Sequence, residues 1–480
     1  MAEYDLVIGN GDVVLPGSGM TVCDVAVRDG RIVAIGKGIG GERAGRYIEA
    51  RDRVVLPGAV DAHSHIGIYR PVAEDARSES ASALVGGVTT MLSYFRTGAN
   101  YLNTTGPYRE VFPRMLEASS GNFFTDYGYH VAPMTHSHVE EIAALVEGFG
   151  VSTFKFYTFY KTLNLAGSGA SREYIKSEDA YDSGHLYRIM RAIASLRQRY
   201  GRSVRLSTHC EDPEIIRVFM EETKGKGEGG LAAYSAARPP LAEAAAITHV
   251  AMLASETGCP INFLHLSSRE AVQTAEASRH IMGGLDATIE VTLHHLALDY
   301  GRADAVLGKV NPPIRSKEDT EALWEAVAEG VVDVVVSDHA CTTKAGKGTE
   351  MWTADPGFGG TALLVPLMVS EGFFKRNISL ERVAQLISFN PARVHGLAPR
   401  KGAIAPGYDG DLAIVDMNEE KVVTPAALHS AQDFTPFEGL RVRGWPSHTI
   451  VRGQMALEDG QVVAQPGLGD YIRRPVGAQR

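Results

Sequence analysis

Two periodicities divide the chain. From residue 4 to residue 57, short apolar runs alternate with polar positions: Leu6-Val7-Ile8, Val13-Val14-Leu15, Val25-Ala26-Val27, Ile32-Val33-Ala34-Ile35 and Val54-Val55-Leu56. Asn10-Gly11 and Asp29-Gly30 lie between runs, and such dipeptides supply the positive φ angles of tight hairpins. This segment predicts β structure throughout. Leu412-Ala413-Ile414-Val415, Thr449-Ile450-Val451 and Met455-Ala456-Leu457, followed by Asp459-Gly460, read the same way. Neither end holds enough residues for a sheet core alone, so the two are expected to pack together as one small β-sandwich.

Between them the pattern becomes strand then helix, repeatedly. Eight strands are predicted, over 59–65, 88–93, 127–131, 153–157, 204–209, 261–266, 287–292 and 332–337, with helices such as 183–199 and 241–257 among them. Alternating βα units with near-continuous apolar strands imply a parallel sheet, and eight of them imply closure into a (β/α)8 barrel of the TIM type. An open doubly wound sheet is the alternative, but no G-x-G-x-x-G opens any of these helices. The expected boundaries are 1–57 and 399–463 for the sandwich, 58–398 for the barrel and 464–480 for a C-terminal arm. Tyr471-Ile472-Arg473-Arg474-Pro475 is a segment that could reach a neighbouring subunit. Lys224 to Gly230 reads as a mobile loop.

Composition narrows the class. Of 480 residues, 44% are hydrophobic and 22% charged, the balance of a soluble globular protein. A net charge of −10 argues against nucleic acid or an anionic membrane surface as partner. No apolar run reaches the length of a membrane span, and Met1-Ala2-Glu3-Tyr4-Asp5 carries acid where a secretory leader is basic. Cys23, Cys210, Cys259 and Cys341 are far apart with no C-x-x-C spacing, so neither a disulfide framework nor a zinc knuckle is indicated. A reducing, cytoplasmic setting is expected.

Six residues at or just beyond predicted strand ends could form one metal site: His63, His65, Lys155, His209, His265 and Asp338. Period two sends His63 and His65 to the same face, where they could chelate an ion or simply hydrogen-bond at a strand end. Asp61 points the same way and could orient a ligand. His209 and His265 each end an apolar strand. Asp338 follows Val332-Asp333-Val334-Val335-Val336-Ser337, and a carboxylate there needs a cation or strong donors. Beside a metal it could also take a proton from water, as a general base does. Lys155, within Phe154-Lys155-Phe156-Tyr157, should have a lowered pKa. As a neutral amine it can add carbon dioxide to give a carbamate that bridges two ions. Alternatively it snorkels, or pairs with Asp338 or Glu290. Two divalent ions about 3.5–4 Å apart would hold a bridging hydroxide and polarise a carbonyl. Histidine-rich sites suit zinc first, then manganese, cobalt or iron. The reaction class is metal-assisted hydrolysis of a carbonyl or phosphoryl compound.

Leu56-Pro57-Gly58-Ala59-Val60-Asp61-Ala62-His63-Ser64-His65 resembles the P-G-x-x-D-x-H-x-H signature of the amidohydrolase superfamily. Within it the chain resembles the cyclic amidohydrolases: dihydropyrimidinase, hydantoinase, allantoinase and dihydroorotase. Ile404 to Leu412, Phe437-Glu438-Gly439 and Val451-Arg452-Gly453 are similar to the family's return into the sandwich, so the resemblance covers nearly the whole chain. It implies His63 and His65 on a first metal, His209 and His265 on a second, and Lys155 as the bridging N6-carboxylysine. Asp338 is implied as ligand to the first metal and general base. It further implies a homotetramer or homodimer and a small cyclic amide as substrate.

The branch is less uniform. Tyr160, five residues after Lys155, is similar to the dihydropyrimidinase and hydantoinase pattern, which implies that it binds the scissile carbonyl and stabilises its oxyanion. A core tyrosine with a satisfied hydroxyl is the other reading. Lys309-Val310-Asn311-Pro312-Pro313-Ile314-Arg315 looks more like allantoinase or dihydroorotase, and Asn311 stands where dihydropyrimidinases have serine. It remains a substrate-binding candidate through its backbone or amide. The apolar Phe358 to Pro366 replaces a segment that usually carries a carboxylate, and Gly67 to Ser82 also departs from the pattern. An apolar wall near the ring could accept a less polar amide or imide. The expected activity is dihydropyrimidinase- or hydantoinase-like, with allantoinase as the alternative. Dihydroorotase and a non-catalytic scaffold stand further off, since a scaffold loses ligands and all six positions are filled here.

Overall fold

The structure is a computed structural model that describes residues 2–15, 17–161 and 180–475. Its centre is an eight-stranded sheet: β6 (Ala59–Ser64), β7 (Val88–Phe95), β8 (Asp126–Val131), β9 (Thr153–Tyr157), β10 (Arg205–His209), β11 (Ile261–Phe263), β12 (Ala287–Thr292) and β13 (Val334–Val336). Every neighbouring pair is parallel. A bridge between Ser64 and His339, with the His65 amide donating to the His339 carbonyl at 2.7 Å, closes β6 onto the end of β13. This is the expected barrel. The strands are buried on both faces, which is why they read as unbroken apolar runs.

Two strands stop earlier than their apolar runs suggest. β11 ends at Phe263 and β13 at Val336, because the residues that follow turn into left-handed backbone at His265 (φ 38°) and Asp338 (φ 52°). The helices largely fall where periodicity puts them, at Ser183–Ser195, Arg197–Tyr200 and Pro240–Thr257. The expected loop at 224–230 is shorter: one helix runs Pro213–Gly225 and the next begins at Gly230.

The chain ends meet in a second, nine-stranded sheet. It contains β1 (Tyr4–Leu15), β2 (Gly19–Arg28), β3 (Arg31–Gly36), β4 (Ala44–Glu49), β5 (Val54–Pro57), β14 (Leu412–Val422), β15 (Arg441–Val451), β16 (Gln454–Glu458) and β17 (Gln461–Val462). β5 pairs antiparallel with β14 and so joins the two ends; eight strands form one continuous hydrogen-bonded path, and β4 pairs with β1 off that path. The sheet has a core of its own from Leu6, Val25, Val55, Leu412, Ile414 and Ile450, among others. Asp29-Gly30 and Asp459-Gly460 make the predicted hairpins, with both residues of each pair at positive φ. Asn10-Gly11 does not. Only Asn10 is left-handed (φ 59°), so the chain bulges within the single strand β1 instead of reversing. Gly11 is needed there for space, since a Cβ would lie 2.6 Å from Val55 Cγ2.

The C-terminal segment docks on its own barrel. The Ile472 amide donates to the Tyr127 carbonyl at 2.8 Å, and the Arg474 amide to Gly150 at 2.7 Å. Ile472 joins Val60, Leu92, Val334 and Val336 in the barrel interior, and Arg474 is fully buried. An apolar Ile472 and an arginine bonded to the His395 carbonyl are better served inside than on a neighbour, so the expected arm is an internal plug through Arg474. Residues 476–480 of that arm lie outside the described residues.

Buried Lys401 ties barrel to terminal sheet. Its Nζ lies 2.5 Å from Asp126 on β8, 2.5 Å from Asp411 and 2.9 Å from Asp409, the last two just before β14. Removing one member of a buried ionic group leaves the others uncompensated. Lys401→Met should therefore lower the free energy of urea unfolding by about 3–5 kcal/mol; a midpoint equal to wild type would refute this role.

Candidate metal centre

His63 and His65 stand at the end of β6 and aim their Nε2 atoms at one carboxylate oxygen. Asp338 Oδ1 lies 3.1 Å from His63 Nε2 and 3.2 Å from His65 Nε2. One ligand atom from each of the three lies within 4.8 Å of the others. The far side of each ring is already engaged, His63 Nδ1 with Glu290 at 2.7 Å and His65 Nδ1 with the Tyr101 hydroxyl at 3.0 Å. That fixes the rings with Nε2 inward. Burial holds both imidazoles below their ordinary pKa, His63 far below, with the Lys155 charge adding to it. Both are therefore neutral near pH 7, the form that can donate a lone pair.

Lys155 rises from β9 into the same space. Its Nζ is 3.3 Å from His63 Nε2 and lies 3.9 Å and 4.6 Å from the ring centres of Tyr94 and Tyr157. Burial pushes the amine down to about 7, against the opposing pull of Asp338 and Glu290. The carboxylates that sequence offers as its partners are occupied elsewhere: Glu290 holds His63 and Asn262, and Asp338 faces the two histidines.

His209, at the end of β10, and His265, just past β11, complete the cluster. Their ring centres are 4.3 Å apart, and His265 is 5.3 Å from His63. His209 Nε2 meets Glu211 at 2.7 Å. Burial alone would raise the Glu211 carboxyl, but Arg238 and His209 outweigh it and hold it at about 2. Burial pushes His209 down to about 4 and His265 well below the imidazole range. Among the described residues the buried Nδ1 of His265 has no hydrogen-bond partner. A buried polar atom left so calls for an ion or water. Four neutral imidazoles, a carboxylate and an amine poised near neutrality form a donor set that fits divalent metal.

The backbone is shaped to deliver these groups. His265 and Asp338 both adopt positive φ, which costs a non-glycine residue of order 1–3 kcal/mol and persists only where surroundings impose it. Asp61 supplies part of that restraint. It accepts from the Ser337 amide at 3.1 Å and the Thr361 hydroxyl at 2.7 Å, and it bonds the Ser337 hydroxyl. Asp61 thus braces the segment entering Asp338, where the end of β13 closes against β6. Glu211 and Arg238 went unassigned in sequence, which offers Glu290 only as a possible partner of Lys155. Glu290 carries the same signal as Asp338, a carboxylate within the apolar run Ala287–Thr292.

Tyr160 lies in the short turn after β9. Its ring stacks on Tyr157 at 4.4 Å and meets Phe159 at 5.0 Å, and Phe159 packs 4.2 Å from His209. Asn311, between β12 and the helix Lys317–Glu329, accepts a 2.6 Å hydrogen bond from Tyr234. Neither touches the histidine cluster through these contacts. The apolar run after Gly360 packs into the core. Ala362, Leu363, Leu364 and Val365 are buried in the main core, and the Val365 amide bonds Gly86. Their side chains are needed to seat the barrel on the terminal sheet. Within the divergent stretch 67–82, Asp75 and Glu79 are buried beside Arg70, and Glu79 meets His339 Nε2 at 2.9 Å.

The description "amidohydrolase family" matches residues 54–456. An allantoinase of Rubrobacter xylanophilus is 33% identical over 98% of each chain. A D-hydantoinase of Ralstonia pickettii is 28% identical over 98% of this chain and 99% of its own. The solved L-hydantoinase (dihydropyrimidinase) of Arthrobacter aurescens superposes with a TM-score of 0.86 at 28% identity, covering 98% of this chain and 100% of its own.

Glu290→Gln keeps the volume but replaces the carboxyl group behind His63 by an amide. Affinity for zinc should fall about 10- to 100-fold in competition with a chromophoric chelator. Unchanged affinity would show that the Glu290–His63 contact does not serve metal binding.

Proposed function

The chain belongs to the amidohydrolase family, and from that premise we propose that it opens cyclic amides and ureides by hydrolysing a ring C–N bond at a two-metal centre. The observation that carries this reading is the convergence of His63, His65 and Asp338 beside Lys155, His209 and His265 at one end of the barrel. His63, His65 and Asp338 would hold one ion and His209 and His265 the other. Lys155 would span both as a carbamate. Zinc is the first choice, with manganese, cobalt or iron as alternatives. When bound, the ions supply an activated water and polarise the ring carbonyl.

The chain's own groups do the rest. Asp338 takes the proton of the attacking water and returns it to the departing ring nitrogen. Tyr160 donates its phenol hydrogen to the carbonyl oxygen as negative charge develops there. Asn311 binds the rest of the ring. Lys155 reaches its bridging form when its neutral Nζ bonds to the carbon of CO2 and the nitrogen proton passes to solvent. The substrate class is that of hydantoin and dihydrouracil. A second reading, allantoinase, is favoured by Asn311 and by the 33% identity to an allantoinase. Among the described residues no helix is long and apolar enough to cross a membrane. A cytoplasmic homo-oligomer, dimer or tetramer, completes the proposal.

Rates on hydantoin, dihydrouracil, allantoin, dihydroorotate and a cyclic imide test the reading, and no turnover of any by zinc- or manganese-loaded protein would reject it. Lys155→Ala should lose bound metal and activity together; full activity in that variant rejects the bridge. Asp338→Ala should keep part of its metal but lose about 10²–10⁴-fold in kcat. Only the free amine of Lys155 can attack CO2, so uptake of labelled bicarbonate by metal-stripped protein should rise with pH through about 7. A midpoint near that of an ordinary lysine, about 10.4, would contradict the buried-amine account.

A further inference from the structure

A buried polar relay runs from the histidine cluster to the loop that carries Asn311. His209 meets Glu211 at 2.7 Å, and Glu211 Oε1 accepts from Arg238 Nε at 2.9 Å, with a second, closer bond between Arg238 and Oε2. Burial raises the pKa of the Tyr234 phenol, and the positive charge of the same guanidinium, close by, opposes it. Tyr234 in turn lies 2.6 Å from Asn311 Oδ1. Glu211 and Arg238 are fully buried and Tyr234 is 4% exposed.

The last bond of this chain of contacts runs from the phenol to the amide: Tyr234 donates its hydrogen to Asn311. The nearby guanidinium, a cation with no lone pair to offer the phenol, favours that direction. The acceptor the phenol meets is Oδ1, which fixes which end of the amide faces inward. Asn311 is partly exposed, and among the described residues its Nδ2 has no hydrogen-bond partner. Two N–H donors are therefore held outward on a side chain that would give up the hydrogen bond from Tyr234 if it flipped. A serine hydroxyl can donate or accept and carries no such instruction.

We infer that Tyr234 is a specificity-determining positioning residue that locks Asn311 as a hydrogen-bond donor, selecting cyclic amides with a carbonyl oxygen beyond the one being attacked. This rests on the functional reading above, in which Asn311 binds the ring. The acceptor has two possible sources, a second carbonyl of the ring or a carbonyl on a ring substituent. Arg238 and Glu211 act behind Tyr234.

Two substrate pairs separate the sources. Hydantoin against 2-thiohydantoin replaces the second ring carbonyl oxygen by a poorer acceptor. Allantoin against 5-methylhydantoin removes the substituent carbonyl. Wild type should prefer the acceptor-bearing member of one pair in kcat/KM. Tyr234→Phe should shrink that preference about three- to tenfold, the worth of one hydrogen bond. Asn311→Asp, which still accepts from Tyr234 but has no donor, should shrink it at least as much. A merely loosened loop would slow both members of a pair alike and leave the ratio unchanged. Ratios that match wild type in both variants overturn the inference while the functional reading stands. Wild type that cleaves none of the four compounds overturns both. Thermal melting of each variant separates lost selectivity from lost fold.

Discussion

Desolvation is the constraint on which this molecule turns. Four imidazoles, an amine and a carboxylate are packed where water has little access, and low dielectric penalises every proton that would charge a ring or the amine. Burial is the largest influence on His63, His65, His209, His265 and Lys155 alike. The cluster is thus kept in the neutral, lone-pair form that a cation needs. The cost of hiding so many polar atoms is met by a second layer: Glu290 behind His63, Glu211 behind His209, and Arg238 behind Glu211.

That second layer also sets the shape of the barrel rim. His265 and Asp338 are pulled into left-handed backbone at the ends of β11 and β13, and those strands are the shortest of the eight. Regular pairing is given up where it would aim a ligand the wrong way. Asp61 pins the far side of β13 through Ser337 and Thr361, so the strand that opens the barrel also steadies the one that closes it.

Much of this was legible in the sequence. Period-two and βα patterns predicted every barrel strand, and the six clustered residues stood out as polar groups at the ends of apolar runs. What escaped was information held between distant segments. Asn10-Gly11 looks like a hairpin in one dimension, and only packing against Val55 shows why it is a bulge. The apolar run after Gly360 is indistinguishable from a pocket wall until its neighbours, Gly86 and the terminal sheet, are known. Arg474 reads as a surface arm because nothing local announces that carbonyls at the barrel floor await a donor. Glu211 and Arg238 are 27 residues apart, and chain order alone gives no hint that they meet.

The plug formed by Ile472 and Arg474 has a consequence for how the protein is made. A ribosome releases the chain from its N-terminus onward, yet β5 finds its partner β14 only after residues from 412 onward have been synthesised, and the barrel floor is sealed by residues 471–474. Until then β5 presents an unpaired strand edge and the barrel floor an open apolar surface, the conditions under which nascent chains aggregate or recruit chaperones. Completion of the fold is deferred until residues 471–474 have emerged, so a product terminated before them lacks a closing piece instead of merely a tail.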